Sequence, residues 1–143
     1  KSAPFASLLR EPQTYEDYDE IIITHTCREV GELTFGHDLI EGLKTDELLN
    51  AVIGDGFWKK IKYYPTTTRE HSPKMGRITD LMRSGAAFAD LGVSVLNPDT
   101  DRAMICGNLA FNIELKAMLE EYGLIEGANS NPQHYVVEKA FLD

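Results

Sequence analysis

The stretch DEIIITHTC at 19–27, with three consecutive isoleucines, constrains this chain more than any other. A short unbroken run of β-branched residues suits a strand covered on both faces, as in a parallel sheet. The flanking segments then read as the helices and strands of such a sheet. Pro4, with Ser2 as N-cap, opens a helix from about residue 3 to 10 that ends near Pro12. Residues 32–52 read as helical, with Leu33, Phe35, Leu39, Ile40, Leu43, Leu48 and Leu49 at apolar positions and breaks at Gly36 and Gly42. A turn at Asp55-Gly56 leads into a strand at about 59–64, whose lysines and Pro65 point to lower burial. GRITDLMRSG (76–85) reads as a short helix ending at Gly85, and DRAMICGN (101–108) as a strand stopping at Gly107. Residues 109–122 place Phe111, Leu115, Met118, Leu119 and Tyr122 on one helical face, with Gly123 as C-cap. HYVVEKA (134–140) is the last strand. Strands alternating with helices predict an α/β domain, a mainly parallel sheet flanked by helices.

Composition removes several function classes. The chain has 143 residues, 43% of them hydrophobic, which fits one domain with a real core. It starts at Lys1 without a Met, which suggests a piece or processed form of something longer. Twenty-three Asp and Glu against fourteen Lys and Arg leave a net charge of −9. That balance disfavours nucleic acid and anionic membrane surfaces as partners. No apolar run approaches the roughly 20 residues of a membrane span. Cys27 and Cys106 stand far apart, outside any C-x-x-C, and the four histidines have no metal-ligand spacing. No metal is expected, and a reducing cytoplasm is the expected setting.

Ligands of parallel α/β sheets bind outside the carboxyl ends of the strands. The residues that follow the strands are therefore the candidates: Arg28, then Thr66-Thr67-Thr68-Arg69, then Cys106-Gly107-Asn108, then Ala140-Phe141. Arg28, Arg69 and Arg77 near one sheet edge stand out in an acidic chain. Guanidinium forks match phosphate oxygens in charge and shape, and the threonine hydroxyls add donors. A phosphate monoester is the economical reading. A salt-bridge network to Glu29, Glu32 and Glu70 is the plainer one. Cys106 is a nucleophile by residue type, yet no histidine lies near it in sequence, and a small packed cysteine is the favoured reading. Neither a G-x-G-x-x-G nor a Walker A motif is present.

Five motifs occur in order: APF-x-S-L-L-R-x-P, H-T-C-R-E-V-x-E-L, T-R-E…G-R-I-T-D-L…S-G, D-R-A-M-I-C-G-N and Y-V-V-E-K-A-F. Together they resemble the C-terminal, NADP(H)-binding half of bacterial ferredoxin (or flavodoxin)–NADP reductases, from residue 2 to residue 143. The resemblance implies that residues 1–143 are one NADP(H)-binding domain, with the FAD-binding domain outside this chain. It implies that Arg28, Arg69 and Arg77, with Thr68 beside them, clasp the 2′-phosphate of the adenosine ribose. Ala3 and Pro4 match the loop near the pyrophosphate and nicotinamide. Cys106, Gly107 and the adjoining Asn108 match the turn where the nicotinamide meets the flavin, with Cys106 in a positioning role. Ala140 and Phe141 match the terminal segment that packs against FAD. The implied reaction is hydride transfer between NADPH and FAD, coupled to one-electron exchange with ferredoxin or flavodoxin.

The chain departs from that pattern in two ways. The flavin-binding half is not present, so these residues alone are expected to hold FAD poorly and to be inactive. The family's first, central strand with its GTG turn is also missing, so the sheet is expected to lack its middle strand. Most of a basic docking surface for an acidic redox partner is expected elsewhere. The alternatives left open are an NAD(P)H-binding module of an oxygenase-type flavoprotein reductase and a non-catalytic nucleotide-binding domain.

Overall fold

The isoleucine run forms a strand with a single apolar face. The computed structural model describes residues 3–128 and 130–139, and the side chains of 5–128 and 130–138. In it, β1 spans Ile21–Cys27. Ile21 and Ile23 pack against a core of Leu9, Tyr15, Leu43, Leu49 and Phe57, while Ile22 is 39% exposed. Cover on both faces was the expectation. Alternate side chains point to opposite faces, and this core lies on only one of them. The chain divides into two compact units, residues 5–87 and a second that takes the residues before 5 and those from 88 onward.

In the first unit, helix α1 (Ala3–Leu9) matches the expected helix, while its proposed N-cap Ser2 lies outside the described residues. A second helix, α2 (Pro12–Asp17), follows directly, with Pro12 in its first turn. It docks through side chains: Thr14 Oγ1 donates to the Leu8 carbonyl at 2.8 Å, and the Tyr15 hydroxyl to the Leu9 carbonyl at 2.5 Å. After β1 comes a 3₁₀ turn, Val30–Leu33, then α3 (Thr34–Lys44) and α4 (Glu47–Ile53). Gly36 and Gly42 lie inside α3 and do not break it. The break falls at Thr45, because Asp46 caps the next helix by accepting from the Leu49 N–H at 2.9 Å. Of the apolar positions read on this stretch, Phe35 and Leu48 are exposed, and Leu33, Leu43 and Leu49 are buried.

Strand β2 (Ile61–Thr67) starts later than expected, because Phe57–Lys60 form a 3₁₀ turn, and it carries Thr66 and Thr67 within it. Its end is not lightly buried either: Tyr64, Thr66 and Thr67 are among the most enclosed side chains. Pro65 is tolerated within the ladder opposite His25. Helix α5 (Ile78–Arg83) closes with Gly85 at φ +85°, as the sequence predicts, and α6 (Ala86–Leu91) follows.

The second unit contains β3 (Ala103–Gly107), α7 (Leu109–Glu121) and β4 (Tyr135–Lys139). Its core is Ile105, Leu119, Leu124 and Tyr135, with Phe111, Leu115, Tyr122 and Val137 packed on it. The expected helical face of α7 is thus the packed one, and Gly123 follows it at φ +93°.

The strands are parallel, as expected, but not joined in one ladder. Among the described residues β1 pairs with β2 and β3 pairs with β4, each as a two-stranded parallel sheet. No described helix is long and apolar enough to cross a membrane.

Candidate functional site

Parallel pairing decides where the first cationic cluster forms. Cys27 at the end of β1 sits opposite Thr67 at the end of β2, so both chains leave the sheet side by side. Backbone bonds then carry the pairing past the strands. The Thr68 N–H donates to the Cys27 carbonyl at 3.0 Å, and the N–H groups of Arg69 and Glu70 both donate to the Arg28 carbonyl at 3.0 Å. Arg28, Thr68 and Arg69 are therefore brought together, and all three are exposed. Among the described residues, neither the Arg28 nor the Arg69 side chain forms an ion pair. The Glu32 and Glu70 carboxylates named in the salt-bridge alternative bond backbone amides instead. The Glu70 carboxylate accepts the Val30 N–H at 2.7 Å, and the Glu32 carboxylate accepts the Glu29 N–H at 3.2 Å.

Thr67 anchors the loop beyond. Its N–H donates to the Lys74 carbonyl at 3.2 Å, and its carbonyl accepts the Gly76 N–H at 2.9 Å. Its hydroxyl lies 2.5 Å from the Glu70 carbonyl and 2.7 Å from Ser72 Oγ, and Ser72 donates onward to the Lys74 carbonyl at 2.8 Å. A hydroxyl has one proton, so Thr67 serves one of those two acceptors at a time. The segment 68–76 is thus a closed loop returning to its origin. Arg69 lies at its start and Arg77 just past its end, where Arg77 is also the N-cap residue of α5. Gly76 sits at φ +128°, a conformation that favours glycine, which lets the loop return. The threonine run divides. Thr66 is fully buried and its hydroxyl pairs with that of Thr26 at 2.7 Å, Thr67 is consumed by the loop, and Thr68 alone faces solvent. The expectation that Thr66 to Thr68 all add donors is corrected to Thr68, because Thr66 and Thr67 are both fully buried with their hydroxyls engaged by Thr26 and by the loop. His71 is exposed on the loop.

A second polar chain runs beneath β1. Cys27 Sγ lies 3.2 Å from His25 Nε2, and His25 Nδ1 lies 3.0 Å from the Tyr63 hydroxyl. Burial pushes the His25 pKa down, with His37 adding to this and Glu32 opposing it. Burial, then Glu32, pushes the Cys27 thiol up. Burial, then Cys27, raises the Tyr63 hydroxyl to about 12. All three groups are therefore neutral near pH 7.

In the second unit, Cys106, Gly107 and Asn108 lie where β3 gives way to α7. Burial raises the Cys106 thiol, which suits a packed or positioning thiol rather than a thiolate nucleophile. Asn108 caps α7 by accepting the Phe111 N–H at 2.9 Å. A Cβ on Gly107 would meet the Phe111 ring, so close packing accounts for the glycine. The Ala3 and Pro4 backbone lies in α1, their side chains are outside the described set, and Ala140 and Phe141 lie outside the described residues.

No protein-family model matches the chain. Individual proteins do. The chain is 56% identical over 140 residues to the flavodoxin/ferredoxin–NADP reductase of Rhodobacter capsulatus, covering 98% of this chain and 50% of that protein. It is 43% identical to ferredoxin–NADP reductase A of Sorangium cellulosum, covering 97% and 49%. A solved ferredoxin NADP+ reductase of Neisseria gonorrhoeae, with bound FAD and NADP, superposes with a TM-score of 0.77 at 25% identity, covering 98% of this chain and 52% of that one. Over that half, the chain is a relative of the ferredoxin–NADP reductases. It spans about half the length of the curated reductases it matches. The likeness to the solved reductase agrees with the α/β class and parallel strands.

Two residues of this loop pair have roles that the sequence does not show. Glu70 was weighed only as a surface counter-charge, and Thr67 only as a donor. Neither hydrogen-bonding role has a spacing signature, because each depends on two loops meeting across the sheet.

Proposed function

We propose that these 143 residues are the NADP(H)-binding part of a ferredoxin/flavodoxin–NADP reductase. The observation that carries this reading is the joined pair of loops. The Arg28 carbonyl accepts the Arg69 N–H at 3.0 Å, so two guanidiniums rise from adjacent backbone in a chain of net charge −9. Arg28 and Arg69 take the oxygens of the ribose 2′-phosphate, Thr68 adds a hydroxyl, and Arg77 adds a third fork. NAD lacks that phosphate and would leave Arg28 and Arg69 without that anion. The named relatives support the reading, as does the bound NADP of the Neisseria reductase.

In the whole reductase, FAD supplies the hydride and one-electron chemistry that joins NADPH to ferredoxin or flavodoxin. This chain's own part is to bind and orient the nicotinamide nucleotide. Cys106, Gly107 and Asn108 position the nicotinamide end, with Cys106 as a neutral thiol. Ala3 and Pro4 approach the pyrophosphate, and Ala140 and Phe141 are this chain's contribution to the flavin. The FAD-binding remainder of the protein is the covalent partner. Cys27 and Cys106 are not in a disulfide, which fits a reducing cytoplasm.

Calorimetry with 2′,5′-ADP and 5′-ADP at one salt concentration tests this. The first should bind tighter by about 2 kcal/mol, roughly thirtyfold, with the difference lost in Arg69→Ala and Arg77→Ala. Equal binding of the two nucleotides by the unaltered protein would return the arginines to plain surface charge.

A further inference from the structure

We propose that Glu70 is a positioning residue of the nucleotide site, fastening the Arg28 and Arg69 loops into one anion clamp. This rests on the NADP(H) reading above. Three backbone bonds join the loops, from Thr68 N–H to the Cys27 carbonyl and from Arg69 and Glu70 N–H to the Arg28 carbonyl. All three have their acceptors on residues 27 and 28, so they hold only the near side of Arg28. The far side, the 3₁₀ turn Val30–Leu33, is reached by the Glu70 carboxylate, which accepts the Val30 N–H at 2.7 Å. Here donor and acceptor change places between the loops. Arg28 is thereby bracketed: its carbonyl is held by the β2 loop before the bracket, and Val30 is held by the same loop after it.

Glu70 is itself held. Its N–H is spent on Arg28, and its carbonyl lies 2.5 Å from the buried Thr67 hydroxyl. A carboxylate accepting a backbone N–H makes a charge-assisted bond, stronger than a neutral pair. Its like-charge repulsion of a phosphate held at Arg69 acts inside the screening length of about 10 Å at 0.1 M salt and opposes this effect. The clamp requires the positioning effect to outweigh that repulsion.

The two roles predict opposite signs. Glu70→Gln keeps an oxygen for the Val30 N–H, whereas Glu70→Ala removes it. In the intact protein, Glu70→Ala should weaken 2′,5′-ADP by roughly tenfold and leave 5′-ADP unchanged. Glu70→Gln should stay within about threefold of the parent. Amide exchange at Val30 should quicken in Glu70→Ala and not in Glu70→Gln. If both variants tighten 2′,5′-ADP alike, or leave it unchanged, Glu70 is a surface charge and the clamp idea is wrong. Should Glu70→Ala fail to fold, amide exchange in the parent decides: a Val30 amide that exchanges as fast as an open loop amide overturns the proposal, as does a roughly tenfold loss in Glu70→Gln with the acceptor retained. A parent protein that does not distinguish the two nucleotides sinks the NADP(H) reading itself. A parent that does distinguish them, with Glu70→Ala unaltered, sinks only Glu70.

Discussion

His25 shows how one side chain couples a strand to its surroundings. It bridges Cys27 and Tyr63, and the groups with charge or titratable protons around it are Cys27, Tyr63, His37 and Glu32. Its pKa is pushed below the ordinary value of about 6.5, chiefly by burial. The unfolded chain then binds a proton more readily than the folded one, so stability rises with pH. The contribution is fully present above about pH 6.5 and is lost as pH falls through the lower, folded pKa. Denaturant midpoints measured between pH 7.5 and 5 should fall on acidification, and His25→Gln should flatten that slope. An identical slope in parent and variant would assign the acid sensitivity to the carboxylates instead. The spacing of His25 and Cys27 on one strand face was visible in the sequence. That Tyr63 holds the other ring nitrogen was not, because it lies 38 residues away.

Helix α3 makes the corresponding point for elements. Two glycines inside a helix read as breaks, since each costs about 1 kcal/mol relative to Ala. The structure separates them. A Cβ on Gly42 would meet nothing within 4 Å, whereas one on Gly36 would strike the Tyr63 hydroxyl and ring and come to 3.0 Å from His25 Nδ1. Gly36 therefore lets α3 lie close against Tyr63 of β2. Gly36→Ala gains about 1 kcal/mol of helix propensity and loses about 1–3 to overpacking, so the loss wins. Gly42→Ala has only the gain. Urea titrations should move the two midpoints in opposite directions, Gly36→Ala down and Gly42→Ala up. Shifts of the same sign would mean that Tyr63 swings aside without cost. The helix boundaries were misread for the same reason: propensity is local, while close approach and the Asp46 cap are decided by what the helix meets.

For the whole molecule, the sheets are the informative feature. A sheet of two strands has little independent stability, and three or more strands, or helix cover, are needed. Here each parallel pair has two strands, and each unit carries a separate core. The isolated 143 residues should therefore melt over a broad range, and less cooperatively than the intact protein. Calorimetry of the isolated chain checks this. A single sharp transition from a monomer, with calorimetric and van't Hoff enthalpies equal, would show that two paired strands per sheet suffice. Saturation with 2′,5′-ADP at 100 times its Kd should add about 2.7 kcal/mol in the intact protein.

The alternation of β-branched runs with apolar helices was enough to predict the α/β class and the position of each strand to within a few residues. It was also enough to point to Arg28, Thr68 and Arg69, since those residues had to follow strands in a parallel sheet. These are consequences of chain order and period, which a sequence carries directly. Which threonine faces out, which glycine is needed for contact, and which carboxylate is tied to an amide depended on register. Cys27 stands opposite Thr67 only once β1 and β2 have paired. The Glu70 bond to Val30 joins residues 40 apart and exists only because the two loops leave that paired edge together. Local pattern determined the elements, and pairing across the sheet decided the site.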